Sequence, residues 1–317
     1  MLDIRFIREN KDLVQEGARK KHLAFKVDDL LAVDEQRREL LAIVEKKRER
    51  QNEITSKIGE TNHSDIRDRL IGEMRGLKEE LQRDEDKLKE TMRTWQALML
   101  QVPNIPDITV PEGRDDTFNV EVRAWGEKPV FDFNPKSHVE LMKNLDLADF
   151  ERGAKVAGFR GYFLKNDGVL LCFALWQFAL DFFRDAGGFT PIMAPSLVKR
   201  ETLLGTGYLP QGEEDLYKTQ DETYMAGTAE VAIVNYYADE MISHETLPVK
   251  FLGFSPCFRR EAGSYGRDTR GIMRVHEFFK LEQVVLCEAS HEASVRHHEE
   301  LTTNAEKMMQ RLSLIHI

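Results

Sequence analysis

Residues 27–100 lack proline, and mostly apolar side chains recur in them at alternating steps of three and four. The repeat forms two seams, at residues 30–58 and 70–98. Alternating spacing over about four heptads is typical of a coiled coil. Between the seams, Gly59 can end one helix and Ser64 or Asp65 can begin the next. The sequence therefore predicts an antiparallel helical hairpin whose arms are each on the order of 50 Å long.

A proline-rich segment follows the hairpin, with three prolines within nine residues of segment 103–113. Such a density of proline ends a helix and is typical of a linker. Beyond it the chain shows neither the βαβ rhythm nor the glycine-rich phosphate loops of Rossmann and P-loop enzymes. We therefore predict an α+β protein, with the hairpin in residues 1–102 and a mainly antiparallel sheet flanked by helices in residues 114–317.

The longest apolar run, residues 169–183, is interrupted by Gln177 and Asp181 and is too short to cross a bilayer. We interpret this run as a buried helix. Alternation and turn residues predict the other elements of the second domain. Strands are predicted at residues 224–226, 250–257, 273–279 and 281–287, and helices near residues 175–186, 228–237 and 290–312. Residues 161–165 and 169–172 are predicted as short strands or as a strand that runs into a helix.

Composition excludes several classes of protein. The net charge of −10 argues against nucleic-acid binding over the whole surface, although a local basic site is compatible with it. The three cysteines lie far apart without a CxxC pair, which argues against a disulfide framework or a zinc site and fits a reducing compartment. The N-terminus lacks the apolar core of a signal peptide. We predict a cytoplasmic protein with no membrane span and no metal-ligating residues.

The densest group of charged residues lies where a glycine-containing loop joins two predicted strands. Arg259 and Glu261 are two residues apart, as are Phe278, Lys280 and Glu282 on the returning strand, so each set is predicted to share one face of its strand. An arginine can bind phosphate with two donors, a carboxylate can contact a base edge, and an aromatic ring can stack on a base. A solvent-exposed hairpin held by Arg–Glu pairs fits the spacing equally well.

A second candidate site lies at residues 226–230, at a predicted strand-to-helix junction. Taken alone, Thr228 is best interpreted there as an ordinary helix N-cap. The histidines carry little functional signal. His297 and His298 lie on a charged helix and are predicted to face solvent, while His276 is of interest only because it lies in the hairpin.

Motifs along the chain, in order, resemble those of bacterial-type seryl-tRNA synthetases, which are class II aminoacyl-tRNA synthetases. The loop CFRREAGSYGRDTRG at residues 257–271 is the most specific of them. The others are the helical hairpin and residues 1–5, 102–106, 110–113, 204–210, 227–231 and 274–282. The resemblance implies that serine and ATP form seryl-adenylate, which is then transferred to tRNA(Ser), with tRNA(Sec) as a further acceptor.

The resemblance also assigns nucleotide-binding residues. Arg259 would hold the α-phosphate and the carboxylate side of serine, and Glu261 would contact the adenine amino group; these two are the implied catalytic residues. Phe278 would stack on adenine, Val275 would line the nucleotide pocket, and Arg260 belongs to the same ATP-binding set. ATP is the implied substrate, with Mg²⁺ as its cofactor.

Serine, in this resemblance, is surrounded by Thr228, Ala229, Glu230 and Glu282, together with Arg259. Acidic groups suit the ammonium and hydroxyl groups of serine. A buried acceptor for the hydroxyl would reject alanine, because alanine leaves that acceptor unpaired.

For tRNA, the resemblance implies that Arg267 and Arg270 meet the acceptor end, that the helical hairpin grips the long variable arm, and that a homodimer forms through the region around Pro195. Shape and backbone contacts of this kind suit double-stranded RNA. A basic cluster on the first hairpin helix could form a local stripe for RNA, and a solvated coiled-coil flank explains the same residues equally well. Its members are Arg37, Arg38, Lys46, Lys47, Arg48 and Arg50.

Two features depart from the family pattern. Gly227 stands where the family usually has proline, and no glycine occurs in residues 272–317. The glycine-rich third class motif is therefore absent, as is the glutamate–serine segment that helps to hold magnesium and ATP. We expect a catalytic domain that is incomplete at the C-terminus. A catalytically inert, tRNA-binding fragment and a coiled-coil scaffold are the alternatives, and the glycines and arginines of residues 262–271 disfavour the scaffold.

Overall fold

The computed structural model describes residues 2–61, 63–127, 129–264, 266 and 268–313. The chain divides into two compact units, residues 1–121 and residues 122–317. The first unit is helical. Its elements are α1 (Ile4–Glu9), α2 (Lys11–Lys20), α3 (Val27–Glu60), α4 (Ser64–Met99) and a 3-10 turn at Asp116–Phe118.

Helices α3 and α4 form the predicted antiparallel hairpin. The seam residues recur at alternating steps of three and four from Leu30 to Ile58 and from Leu70 to Leu98, and all of them are buried or half-buried. Lys47 on α3 donates to Glu80 at 2.8 Å and to Asp84 at 2.9 Å on α4. The antiparallel coiled coil is therefore confirmed. The prediction that Gly59 ends the first helix is wrong, because α3 continues through it to Glu60.

Helices α1 and α2, which the sequence analysis did not predict, pack against the base of the hairpin. Ile7, Val14 and Ala18 are fully buried there against Leu30 and its neighbours. One polar side chain, Asp34, is buried among them and accepts hydrogen bonds from Arg8 and Arg37. Burial of a charge is tolerated only when it is paired in this way.

The second unit contains short strands and helices around one larger sheet. Its helices are α5 (His138–Asn144), α6 (Phe150–Ala157), α7 (Asp167–Gly187), α8 (Arg200–Gly205), α9 (Glu230–Val234) and α10 (His291–Arg311), with 3-10 turns at Glu213–Asp215 and His244–Thr246. Its strands are β1 (Ala148–Asp149), β2 (Phe163–Leu164), β3 (Thr190–Met193), β4 (Leu197–Val198), β5 (Tyr217–Lys218), β6 (Tyr224–Met225), β7 (Val249–Phe258) and β8 (Glu277–Leu286).

The main sheet has the order β3-β7-β8, in which β3 is parallel to β7 and β7 is antiparallel to β8. Strands β4, β6 and β5 form a small antiparallel sheet, and β1 pairs with β2. Leu252, Leu281 and Val285 pack on one face of the main sheet against α7 and α10. Phe251 and Val284 pack on the other face against α9. The α+β class and the mainly antiparallel sheet are confirmed.

Three local predictions are wrong. Residues 169–172 belong to α7 and not to a strand, and residues 273–276 lie outside β8. The third concerns the run at residues 169–183, which forms a helix as predicted but is not fully buried. Only one face of α7 is buried, through residues such as Ala179 and Phe183, whereas Phe173 is 69% exposed. None of the described helices is long and apolar enough to cross a lipid bilayer.

Candidate active site

The candidate site lies on the face of the main sheet that α9 covers. Side chains alternate along a strand, so Phe278, Lys280 and Glu282 of β8 point to the same face, as predicted. Their partners on β7 are Cys257, Ser255 and Gly253, respectively. The alternation and the register together assemble a row of aromatic, basic and acidic groups.

Gly253 allows α9 to approach this row. A Cβ atom at position 253 would lie 2.2 Å from Cδ1 of Ile233 and 3.2 Å from Cβ of Ala229. Because glycine lacks this atom, α9 packs directly on the sheet. The start of the helix then carries Thr228 and Glu230 to Glu282, although these residues are more than 50 positions apart in the chain.

Thr228, Glu230, Lys280 and Glu282 form one hydrogen-bonded cluster. The buried Thr228 hydroxyl donates to Glu282 Oε2 at 2.6 Å and accepts from the Lys280 ammonium at 2.6 Å. Lys280 also donates to Glu282 Oε1 at 3.0 Å, and the Glu230 backbone N–H donates to Glu282 Oε2 at 3.1 Å. The cluster can bind an ammonium group and a hydroxyl group at its carboxylates.

Thr228 is therefore more than a helix cap. Helix α9 begins at Glu230, and its N-cap residue, Ala229, makes no side-chain capping bond. The Glu230 N–H reaches the Thr228 hydroxyl only at 3.3 Å, longer than either of the Thr228 contacts with Lys280 and Glu282. The simple N-cap interpretation is wrong.

Tyr208 is a site residue that the sequence analysis missed. Its hydroxyl donates to Glu230 Oε2 at 3.3 Å. Burial, followed by the nearby carboxylates of Glu230 and Glu282, raises the pKa of Tyr208 to about 12. Tyr208 is thus a stable hydrogen-bond donor at neutral pH. The only signal for it in the sequence is its position within the motif at residues 204–210.

Arg259 lies directly after β7, not on it, so the prediction that Arg259 and Glu261 share a strand face is wrong. The Arg259 backbone N–H donates to the His276 carbonyl at 3.0 Å, which holds the chain beside the start of β8. Its guanidinium lies over the ring of Phe278, 5.1 Å from the centroid, and donates to the Gly227 carbonyl at 3.4 Å. The Arg259 cation therefore lies against the Phe278 ring.

Glu261 lies in a turn with φ +57°, in the left-handed region. Arg274 donates to its Oε2 at 2.7 Å, and Arg160 is 3.9 Å from the same oxygen. Asp215 fixes the turn from the other side, since its backbone carbonyl accepts from the Arg260 N–H and its carboxylate accepts from the Ala262 N–H. The sequence analysis predicted none of these three supports of Glu261.

A cavity of about 350 Å³ opens at this turn. It is lined by Phe159, Arg160, Arg260, Glu261, Ala262, Ser264, Gly266 and His276. Its arginines can pair with phosphate groups, and its carboxylate can accept from an amino group. Val275, which precedes the lining residue His276 in the chain, is buried, and Phe278 lies on β8.

The remaining predicted residues have mixed outcomes. Ala229 is buried, and Arg270 is exposed in the loop; Arg267 lies outside the described residues. His298 is exposed, as predicted, whereas the prediction for His297 is wrong. His297 is buried, and its Nδ1 lies 3.1 Å from Glu300.

The three cysteines are free thiols. Among the residues that the structure describes, no group of three or more histidine, cysteine, aspartate or glutamate side chains is arranged to hold a metal ion.

Comparisons with known proteins agree with this architecture. Residues 1–106 match the model of the seryl-tRNA synthetase N-terminal domain, and residues 214–317 match that of the class II tRNA synthetase core domain (G, H, P, S and T). A serine–tRNA ligase of Deinococcus radiodurans is 46% identical over 317 residues, covering 99% of this chain and 74% of the relative. A serine–tRNA ligase of Carboxydothermus hydrogenoformans is 39% identical, with the same coverage of both proteins.

Two solved structures are also similar. The seryl-tRNA synthetase of Pyrococcus horikoshii complexed with ATP gives a TM-score of 0.87 at 35% identity, covering 98% of this chain and 74% of that one. The cytoplasmic serine–tRNA ligase of Naegleria fowleri in complex with AMP gives a TM-score of 0.83 at 26% identity, covering 98% of this chain and 76% of that one.

Proposed function

The chain belongs to the seryl-tRNA synthetase family of aminoacyl-tRNA ligases. We propose that it binds serine and ATP and converts them to seryl-adenylate and pyrophosphate. In this reaction a serine carboxylate oxygen attacks the α-phosphorus, and the bond from that phosphorus to the bridging oxygen of pyrophosphate breaks. A ribose hydroxyl at the end of tRNA(Ser) then attacks the seryl carbonyl, the bond from that carbonyl to the phosphate oxygen breaks and AMP leaves, with tRNA(Sec) as a further acceptor.

The cluster of Thr228, Glu230, Lys280 and Glu282 is the observation that supports serine as the substrate most strongly. Its carboxylates suit the serine ammonium, and an oriented acceptor on Glu282 suits the serine hydroxyl. Alanine would leave that acceptor unpaired, which costs binding free energy in a desolvated site. The 2.6 Å bond from Thr228 to Glu282 supports this assignment because it holds the carboxylate in one orientation.

Arg259 and Phe278 support the proposal for the nucleotide. Adenine stacked on the Phe278 ring would lie beside the Arg259 guanidinium, which is suited to the α-phosphate. We propose that Glu261 contacts the adenine amino group and that Arg260 and Val275 line the same pocket. Activation needs no protein nucleophile, because it depends on holding the reactants in line and stabilising charge as pyrophosphate leaves. Mg²⁺ enters the proposal only as a counterion of ATP.

We propose that tRNA binds along the helical hairpin through its shape and backbone and that Arg267 and Arg270 meet its acceptor end. The basic cluster on α3 contributes less than its sequence suggests, because many of its members are neutralised within the hairpin. Arg37 pairs with Asp34, Arg48 with Glu85, and Arg50 with Glu53 and Glu73; Arg38 pairs with Glu35 and Lys47 with Glu80.

We further propose a homodimer in the cytoplasm that forms through the region around Pro195. Pro195 is exposed, and so is the neighbouring Met193 on β3. The uncovered face of α7 exposes Leu170, Leu171 and Phe173 as well. Phe173 and Met193 line one apolar cavity, and exposed apolar side chains that lie together are typical of a protein–protein interface.

The proposal is tested by the binding of non-hydrolysable aminoacyl-adenylates, measured by calorimetry on the 317-residue chain. We expect the seryl sulfamoyl-adenosine to bind at least about tenfold more tightly than the alanyl and threonyl analogues, because alanine lacks the hydroxyl group and threonine carries an extra methyl group. Equal binding of all three by a folded chain would contradict the proposal. Serine-dependent ATP–pyrophosphate exchange then separates an active chain from the inert, tRNA-binding alternative.

A further inference from the structure

Lys280 occupies the centre of the candidate serine site, between Phe278 and Glu282 on β8 and opposite Ser255 on β7. The family resemblance assigned it no role. Its side chain is 29% exposed, so its ammonium is partly removed from water. An ammonium in such a place is stable only when it donates to acceptors of the protein or of a ligand.

Lys280 determines which way the Thr228 hydroxyl points. An ammonium has three donors and no acceptor, so at 2.6 Å from Lys280 the Thr228 oxygen must accept. The single hydroxyl proton of Thr228 is then left for Glu282 Oε2, at 2.6 Å. Without Lys280, the hydroxyl could rotate and accept from other donors.

Lys280 also limits the acceptor capacity of Glu282. Each carboxylate oxygen offers about two acceptor positions. Oε2 accepts from the Thr228 hydroxyl and from the Glu230 N–H, and Oε1 accepts from Lys280. These bonds leave one open position, on Oε1. The positive charge of Lys280 balances one of the two negative charges of Glu230 and Glu282. One negative charge of this pair is left for a substrate ammonium.

We propose that Lys280 is the positioning residue that sets the preference for serine over alanine, because it holds Glu282 with a single oriented acceptor for the serine hydroxyl. This inference rests on the proposed function. The preference depends on how costly it is to leave that acceptor unpaired. A carboxylate that is free to turn toward water loses little when alanine is bound, so its discrimination weakens.

The test compares Lys280→Met, Lys280→Gln and Lys280→Arg with the unaltered chain. Calorimetry measures the affinity for the seryl and alanyl sulfamoyl-adenosines and for AMP. We expect the ratio of seryl to alanyl affinity to fall by about tenfold, toward equal affinity, in Lys280→Met and Lys280→Gln, as expected for losing a hydrogen bond to a charged group. AMP affinity should change less than about threefold, and Lys280→Arg should restore part of the ratio because it keeps a cationic donor.

Lys250→Met is the matched control. Lys250 lies on the same sheet, on β7, and pairs with Glu300, outside the candidate site. This variant loses a comparable half-buried ion pair, so its seryl-to-alanyl ratio should stay at the level of the unaltered chain. Thermal unfolding of each variant identifies those that are folded. If Lys280→Met does not fold, Lys280→Gln carries the test.

Two results would overturn the inference, and they differ. If the unaltered chain binds both analogues equally, the proposed function fails and the inference fails with it. If the unaltered chain prefers serine and a folded Lys280→Met or Lys280→Gln variant keeps that preference, only the role of Lys280 is refuted. A parallel loss of both affinities with an unchanged ratio also refutes it, because Lys280 would then contact a part shared by both analogues.

Discussion

The guanidinium of Arg259 lies over the ring of Phe278, with 5.1 Å between Cζ and the ring centroid. Arg259 is held there by its backbone bond to the His276 carbonyl, where the chain has just left β7. The proposed phosphate-binding cation and the proposed adenine-stacking ring therefore occupy adjacent positions, although 19 residues separate them in the sequence.

Replacing Arg259 with alanine should slow serine-dependent ATP–pyrophosphate exchange by about 10²- to 10³-fold, because the charge that develops on the phosphate loses its main partner. Binding of seryl sulfamoyl-adenosine, measured in parallel, should also weaken. Arg152→Ala removes an exposed arginine on α6 that pairs with Asp149 at the end of β1, and it should leave both quantities unchanged. An Arg259→Ala variant with normal adenylate binding and exchange would contradict the role given to Arg259.

A methyl group at position 253 should push α9 away from the sheet. Gly253→Ala would set its Cβ within 2.2 Å of Ile233 Cδ1, and we expect a loss of stability of about 1–3 kcal/mol from overpacking. Binding of the seryl analogue should weaken as well, because Thr228 moves with the start of α9. Adding Ile233→Val removes the clashing atom and should restore much of both losses, as measured by thermal unfolding and calorimetry. No recovery in the double variant would show that the contact does not limit the approach of α9.

Loss of the buried carboxylate at the base of the hairpin should destabilise the first unit. Asp34 is only 2% exposed and pairs with Arg8 and Arg37, so Asp34→Ala leaves two guanidinium groups without their shared partner. We expect a cost on the order of 3 kcal/mol. Glu35→Ala breaks the neighbouring exposed pair with Arg38 and should cost less than about 1 kcal/mol. Hydrogen exchange of the α1 and α3 amides measures both, and equal protection in the two variants would refute the distinction.

Tyr208 should make stability depend on pH in the alkaline range. Its pKa is raised from 10.0 to about 12 by burial and by the carboxylates of Glu230 and Glu282, so the native state keeps the phenol proton longer than the unfolded state. The resulting stabilisation is fully present below pH 10 and is lost as the pH rises toward 12. In Tyr208→Phe this contribution is absent, so stability should fall less steeply between pH 10 and 12. Denaturant unfolding at several pH values measures the slopes, and identical slopes would contradict the environment assigned to Tyr208.

Much of the architecture followed from patterns between near neighbours. The seams of α3 and α4 need only contacts between residues three and four apart and the packing of one helix on another, so periodicity was sufficient to predict them. Helices α1 and α2 were missed because Ile4–Glu9 and Lys11–Lys20 are too short to show a persistent period. Residues 169–172 fit either a short strand or the start of a helix, because a short apolar run does not distinguish the two.

The site was predictable only in part. Alternation along β8 was enough to put Phe278, Lys280 and Glu282 on one face, and the motifs identified most of the residues around it. Glu261 was predicted on a strand, yet it adopts a left-handed turn held by Arg274 and Asp215. Such supports come from distant segments, so no local pattern could reveal them.

Periodicity and motifs that are contiguous in the chain were sufficient to predict the helical hairpin, the α+β class, the family and most of the candidate site residues. The contacts between these groups are visible only in the folded chain. Thr228 meets Glu282, 54 positions away, and Tyr208 donates to Glu230. Lys280 donates to both Thr228 and Glu282 and so orients them. Hydrogen-bond direction and burial depend on atoms that come together only when the chain folds. Here Gly253 leaves room for α9 to pack on the sheet, which brings Thr228 to Glu282.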